Sequence, residues 1–253
     1  MRCKRAPDLI DRIAYENARL ITGMTSTPIS GKAFRSRPYC VGVVLAGGRG
    51  TRMGGPSKPF RPLAGRSMLD RAIDRLSPQV DQLLISANTG PARFRTYGVP
   101  VIADTLPHYR GPLAGILAGM RWTAEHQPGA KFIASVAADT PFFPRNFVQT
   151  LFDNFETKES GIALAASTGG IHPVFGLWPV SLANDLEEFL LSGANPKMLD
   201  FADRNACFTV AFRDVVLPDG KSEDPFFNVN TPREAEHAET VALIIDAWER
   251  REA

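Results

Sequence analysis

The chain has 253 residues, 44% of them hydrophobic, and 29 Lys and Arg against 27 Asp and Glu for a formal net charge of +2. That is length for one large α/β domain or two small ones, with one expected here, and a charge so near balance points neither to nucleic acid nor to a membrane surface. Cys3, Cys40 and Cys207 form no Cys-x-x-Cys pair, which fits free thiols in a reducing cytoplasm without a disulfide framework or structural metal; no apolar run nears the ~20 residues of a membrane span.

Residues 1–40 match the rest poorly and are expected to form a poorly ordered extension ahead of a single domain over 41–253. Leu9, Ile10, Ile13 and Ala14 can make a short helical face, and residues 25–37 are rich in Ser, Thr, Pro and Gly. Asp11, Arg12 and Glu16 interrupt the only apolar stretch a secretory signal could use, and Met24 offers an alternative natural start.

Val43, Val44, Leu45 and Ala46 form a continuous apolar run, as in a strand covered on both faces of a parallel sheet. Five glycines follow, Gly47, Gly48, Gly50, Gly54 and Gly55, and from Arg49 to Arg66 the chain carries Arg49, Arg52, Lys58, Arg61 and Arg66 with no acid. Glycine backbone can approach bound oxygens closely and turn its N–H groups inward, so the loop reads as a cradle for a polyphosphate. The ordinary alternative is a glycine-rich turn with solvated arginines. It is not a P-loop, because Gly-Pro-Ser separates Gly54 from Lys58 and a proline follows the lysine, and Met53 occupies the last glycine position of a dinucleotide fingerprint.

Ser67 and Asp70 have capping-box spacing and open a helix to about Leu76. Strands are expected over 80–87 and 99–103, the second ending at Asp104, and Pro112 suits the first turn of a helix starting in Gly111-Pro-Leu-Ala-Gly115. Residues 131–138 read as a buried strand ending at Asp139-Thr-Pro, followed by a helix to about Phe155. Strands over 162–167 and 173–178 flank a turn at 168–172, then come a helix over 182–191, a strand over 208–212 and a closing amphipathic helix through Ile245 and Trp248. In a strand, Asn228 and Asn230 would share one face opposite Val229. Ligands of open α/β sheets sit at the carboxyl ends of strands, so Gly47, Asp104 and Asp139 should converge. A lone aspartate is often only a cap or turn residue; three strand ends together are harder to dismiss. For His172, a structural role and a substrate contact both stay open.

The segment Leu45-Ala-Gly-Gly-x-Gly-x-Arg52-Met-Gly-Gly-x-x-Lys58 resembles the signature of sugar-phosphate-type nucleotidyltransferases, and within these the MobA-like molybdenum cofactor guanylyltransferases. Asp104, Gly111-Pro-Leu-Ala-Gly115, Asp139-Thr-Pro141, His172-Pro173 and Asn228-Val-Asn-Thr-Pro232 follow in the family's order, so the resemblance spans about 41–236. It implies a three-layer, Rossmann-like α/β fold around a mostly parallel mixed sheet. It further implies transfer of GMP from GTP to the phosphate of molybdenum-molybdopterin, with release of pyrophosphate. Carried over by position, Leu45, Ala46, Gly47, Lys58, Asp104 and Asp139 are nucleotide-binding and Asp139 the ligand of Mg²⁺; for the implied reaction Arg52, Lys58 and Asp139 are assigned as catalytic, Arg52 and Lys58 at the triphosphate and leaving pyrophosphate. His172 and the turn at 111–115 are expected to face the pterin.

The expected enzyme is a cytoplasmic monomer that touches molybdenum insertion proteins and acceptor molybdoenzymes, and neither nucleic acid nor membrane. Two positions depart from the family pattern: Ser57 stands where Asp is common before the lysine, and Ser86-Ala-Asn88 where Asn-Ala-Asn is common. Leu-Ala-Gly-Gly favours guanylyl transfer over the cytidylyl and sugar enzymes on a single residue. A molybdopterin cytidylyltransferase, a sugar-1-phosphate nucleotidyltransferase and a nucleotide-binding module without catalysis remain the alternatives.

Overall fold

The apolar run after Tyr39 becomes strand β1 (Cys40–Leu45), in which Cys40, Val41, Val43 and Val44 are wholly buried. Alternate residues feed opposite faces of one sheet: Cys40 and Val44 join one hydrophobic cluster, Val41 and Val43 another. This computed structural model describes residues 37–47, 55–88, 90–106, 111–155, 161–192 and 197–252. The extension over 1–36, the start at Met24 and Arg52 lie outside the described residues.

After β1 come the short pair β2 (Pro62–Leu63) and β3 (Arg66–Ser67), helix α1 (Met68–Leu76), β4 (Gln82–Ser86) and β5 (Val101–Ile102). Next are α2 (Pro112–His126), β6 (Phe132–Ala137), α3 (Phe147–Asp153), β7 (Ile162–Ser167), β8 (Gly170–Pro179) and α4 (Ala183–Leu191). The chain closes with α5 (Met198–Arg204), β9 (Cys207–Ala211), the pair β10 (Val215–Val216) and β11 (Ser222–Glu223), and α6 (Pro232–Glu252). Seven strands form the main sheet in the order β5-β4-β1-β6-β8-β7-β9. Only β8 is antiparallel to its neighbours β6 and β7; the other pairings are parallel. The carboxyl ends of six strands therefore share one edge, where β8 begins.

Helices cover both faces, which completes the expected three layers. Leu69 and Leu76 of α1 and Phe147 and Leu151 of α3 pack on one side. On the other lie Leu113, Leu117 and Met120 of α2, Leu186 and Leu190 of α4, and Phe201 of α5. α2 sits unusually close to the sheet: a Cβ on Gly119 would lie 2.8 Å from Val43 Cγ2, and one on Gly115 2.7 Å from Leu45 Cδ2. A third cluster joins α6 to Leu63, Met68, Phe142 and Val229. That helix is also tied down electrostatically, because Arg71, 5% exposed, donates to both carboxylate oxygens of Asp246 at 2.8 and 2.7 Å and to the carbonyl of Leu63.

The departures from expectation have local causes. β5 keeps only two of the five residues expected over 99–103, since Pro100 has no N–H to donate. α3 begins only at Phe147, because Pro141 and Pro144 restrict the backbone after Asp139. The turn expected over 168–172 shrinks to Thr168 and Gly169: Ser167 already pairs with Gly170, and His172 lies within β8 opposite Ala165. Residues 227–230 form no strand, although Val229 is wholly buried between the two asparagines.

Candidate active site

The site is assembled at the shared carboxyl edge. The Ala46 N–H donates to the Ser86 carbonyl at 2.9 Å and the Leu45 carbonyl accepts the Ala138 N–H at 3.1 Å, so β1 stays paired with both neighbours until Gly47 emerges exposed. Beyond the glycine loop a 3-10 helix, Gly55–Phe60, carries Lys58. Its ammonium donates to Asp139 Oδ2 at 2.5 Å and to Asn230 Oδ1 at 2.6 Å, closing sequence gaps of 81 and 172 residues. The lysine side chain is 15% exposed and that of Asp139 28%, so the pair lies in a recess open to solvent.

Asp139 is fixed from behind. Its carbonyl accepts the Val229 N–H at 2.9 Å, and the next residue, Thr140, donates its hydroxyl to Asn228 Oδ1. Asn230 is held in turn by the start of α6, where Glu234 Oε2 accepts the Asn230 and Thr231 N–H groups at 2.6 and 2.8 Å, and Thr231 Oγ1 accepts the Glu234 N–H at 3.2 Å. This is a capping box, and its backbone donors, that of Asn230 first, hold the Glu234 carboxyl below its ordinary range. Sequence reasoning placed Asn228 and Asn230 on one face only if they formed a strand. Without a strand, Val229 is still buried while Asn228 and Asn230 stay exposed and accept from Thr140 and Lys58.

Farther along the edge, Asp104 follows β5 and Asn88 follows β4. Asn88 grips Asp104 twice: its Nδ2 donates to Asp104 Oδ2 at 2.7 Å, and its Oδ1 accepts the Asp104 N–H at 2.8 Å. Burial pushes the Asp104 carboxyl upward, and the bond from Asn88 opposes that. The partnership of Asn88 with Asp104 was not foreseen, though a polar residue just past a strand end was a signal for it. Ser86 is buried at 4% exposure and offers its carbonyl to Ala46. β5 and β6 are three strand spacings apart, so Asp104 and Asp139 stand at the ends of a shelf ~14 Å long with Gly47 between them. Among the described residues, no three of His, Cys, Asp and Glu cluster as a metal cage.

Residues 42–205 match the MobA-like NTP transferase domain. The molybdenum cofactor guanylyltransferase of Bradyrhizobium sp. (strain ORS 278) is 46% identical over 205 residues, 81% of this chain and 94% of that protein. The chain belongs to the MobA-like NTP transferases. Its fold is also that of molybdopterin-guanine dinucleotide biosynthesis protein A from Archaeoglobus fulgidus, with a TM-score of 0.60 at 23% identity over 81% of this chain and 98% of that one. Rv0371C of Mycobacterium tuberculosis, solved in complex with manganese, superposes with a TM-score of 0.59 at 17% identity, covering 81% and 100% of the two chains. As a MobA-like transferase, the chain presents a fixed cation, a carboxylate beside it and exposed backbone at the end of β1. That set can bind a polyphosphate and neutralise charge at it, and among the described residues it includes no histidine.

Proposed function

We propose that this enzyme transfers GMP from GTP to the phosphate of molybdenum-molybdopterin, forming the guanine dinucleotide and releasing pyrophosphate. One observation carries the reading: Lys58, from the glycine-rich segment, meets Asp139 and Asn230 at the sheet edge, in a chain 46% identical to a molybdenum cofactor guanylyltransferase. An ammonium has three N–H donors, and two are engaged by these residues, which leaves the third for a phosphate oxygen of GTP. In this reading Leu45, Ala46 and Gly47 lay backbone along the nucleotide, Asp104 holds its far end with Asn88 behind it, and Arg52 joins Lys58 on the leaving pyrophosphate.

The acceptor is a phosphate monoester whose second pKa is ~6, so it is already an anionic nucleophile at neutral pH and needs no strong general base. The barrier lies in bringing two anions together, and the protein lowers it by alignment and fixed positive charge. Asp139 would hold the divalent ion, proposed as Mg²⁺. Its Oδ1 is left over from the bond to Lys58, and Mg²⁺ keeps most of its shell as water and phosphate oxygens, so one carboxylate suits it. When bound, such an ion supplies charge neutralisation at the α-phosphate. Among the described residues, no helix is long and apolar enough to cross a membrane. The enzyme is proposed to work in the cytoplasm as a monomer, within a single domain over 41–253, and to meet molybdenum insertion proteins and acceptor molybdoenzymes transiently.

Incubation with GTP, Mg²⁺ and molybdopterin should give a molybdopterin guanine dinucleotide detectable by mass. Parallel reactions with CTP and UTP, and with sugar 1-phosphates as acceptors, should not. A dinucleotide formed only from CTP would replace the guanylyl reading with the cytidylyl one.

A further inference from the structure

A second polar cluster lies at the start of β8, outside the nucleotide shelf, and of its members only His172, expected from the sequence to face the pterin or to serve structure, has been given a role above. Ser167, 3% exposed, has its Oγ 2.6 Å from His172 Nε2 and 2.7 Å from Asp224 Oδ2, and it accepts the Gly169 N–H at 3.1 Å. A hydroxyl has one proton and a carboxylate has none to give, so Ser167 donates to Asp224 and the His172 Nε2–H donates to Ser167. The order His172 to Ser167 to Asp224 places the carboxylate on the serine, not on the far ring nitrogen. This is unlike a nucleophilic triad, whose serine must give its proton to the histidine. Burial keeps the imidazole below its ordinary range, with Asp224 acting in the opposite sense.

Asp224 is also where the segment carrying the asparagines begins. Its Oδ1 accepts the Phe226 N–H at 2.8 Å, its carbonyl accepts the Phe227 N–H at 3.2 Å, and the Phe226 ring stacks on His172 with centroids 4.7 Å apart. Two residues later the chain reaches Asn228 and its bond from Thr140, then Val229 on the Asp139 carbonyl, then Asn230 on Lys58. The capping box of α6 holds the downstream end of this segment, and the Ser167 cluster holds the upstream end. Gly169 is part of the arrangement, since a Cβ there would collide with Asp224 Oδ2.

We infer that Ser167, His172 and Asp224, with Gly169 beneath the carboxylate, are positioning residues that set the 224–230 segment so that Asn230 meets the Lys58 ammonium. The inference rests on the GMP-transfer reading for its kinetic consequence, but its geometric consequence is independent of the acceptor. Ser167→Ala removes one hydroxyl. Gly169→Ala removes no polar group and pushes a methyl into the place of the carboxylate. Both should lower kcat roughly ten- to a hundredfold, as small misplacements at a distance from the chemistry do, while leaving the affinity for GTP unchanged. Neither should lower kcat further in an Asn230→Ala background, since neighbours acting through one contact are not additive.

The acceptor-independent readout is the rate at which the Lys58 amine is acylated by a small reagent, followed by peptide mass. It should rise in Ser167→Ala and Gly169→Ala to the level of Asn230→Ala, and His172→Gln, which keeps an N–H donor, should stay nearer the wild-type rate than His172→Ala. Wild-type labelling in both folded variants, or kcat losses that add fully to that of Asn230→Ala, would overturn the inference. Altered labelling without any GMP transfer by the wild type would sustain it while removing the proposed reaction.

Discussion

At the scale of single residues, the site depends on a cation whose two partners come from distant parts of the chain. Lys58→Ala should lose of order 10²-fold in turnover, as removal of other preorganised charge-stabilising donors does, with the loss falling on kcat more than on GTP affinity. Asp139→Ala should abolish the divalent-ion dependence, read by titrating Mg²⁺ against initial rate; an unchanged titration would leave the carboxylate without that role. Lys58 and Asp139 were legible in the sequence, because each follows a buried strand and carries a charge where only ligand contact or capping would favour one. Asp224 was not legible. It stands 52 residues beyond His172, outside any motif, and only the pairing of β7 with β8 and the short β10–β11 hairpin bring the two together. Nor could the sequence choose between the two roles left open for His172, since its contacts with Ser167 and Phe226 are not readable from it.

Individual elements show the same division. Long periodic or fully apolar stretches such as β1, β6, α2 and α6 were readable, β5 was placed but drawn too long, and α5 and the other two-residue strands were too short for a periodic signal. The anchoring of α6 was equally hidden, because the Arg71–Asp246 pair spans 175 residues. Replacing Asp246 with Asn should cost about 2 kcal/mol at pH 7, because a nearly buried guanidinium would face a neutral amide. Hydrogen bonds from Arg71 hold the Asp246 carboxyl below its usual range, so its contribution is complete above ~3.9, the unfolded value, and fades as pH falls through the lower folded value. Urea denaturation at pH 7 and near pH 3 should therefore show the gap between wild type and Asp246→Asn shrinking in acid. A gap independent of pH would mean that packing, not charge, ties the helix down. Gly119→Ala tests the opposite face, and its methyl should push α2 off Val43 and lower the midpoint.

For the whole molecule, ligand and fold are linked, because the shelf exists only when β1, β4, β5 and β6 stand side by side. GTP at a hundred times its Kd should add about 2.7 kcal/mol to unfolding, seen as a rise in Tm, and Lys58→Ala should reduce that rise at equal GTP. No rise in the wild type would argue against a nucleotide site on this edge. Cys40 gives the same assembly an internal clock. It is wholly buried at the start of β1, and burial pushes its thiol up to about 12, so almost no thiolate is present to react at neutral pH. An alkylating reagent should reach this sulfur only when the central strand separates from its neighbours. Its modification rate would then count the excursions by which the sheet comes apart, and saturating nucleotide should slow that count without any engineered label.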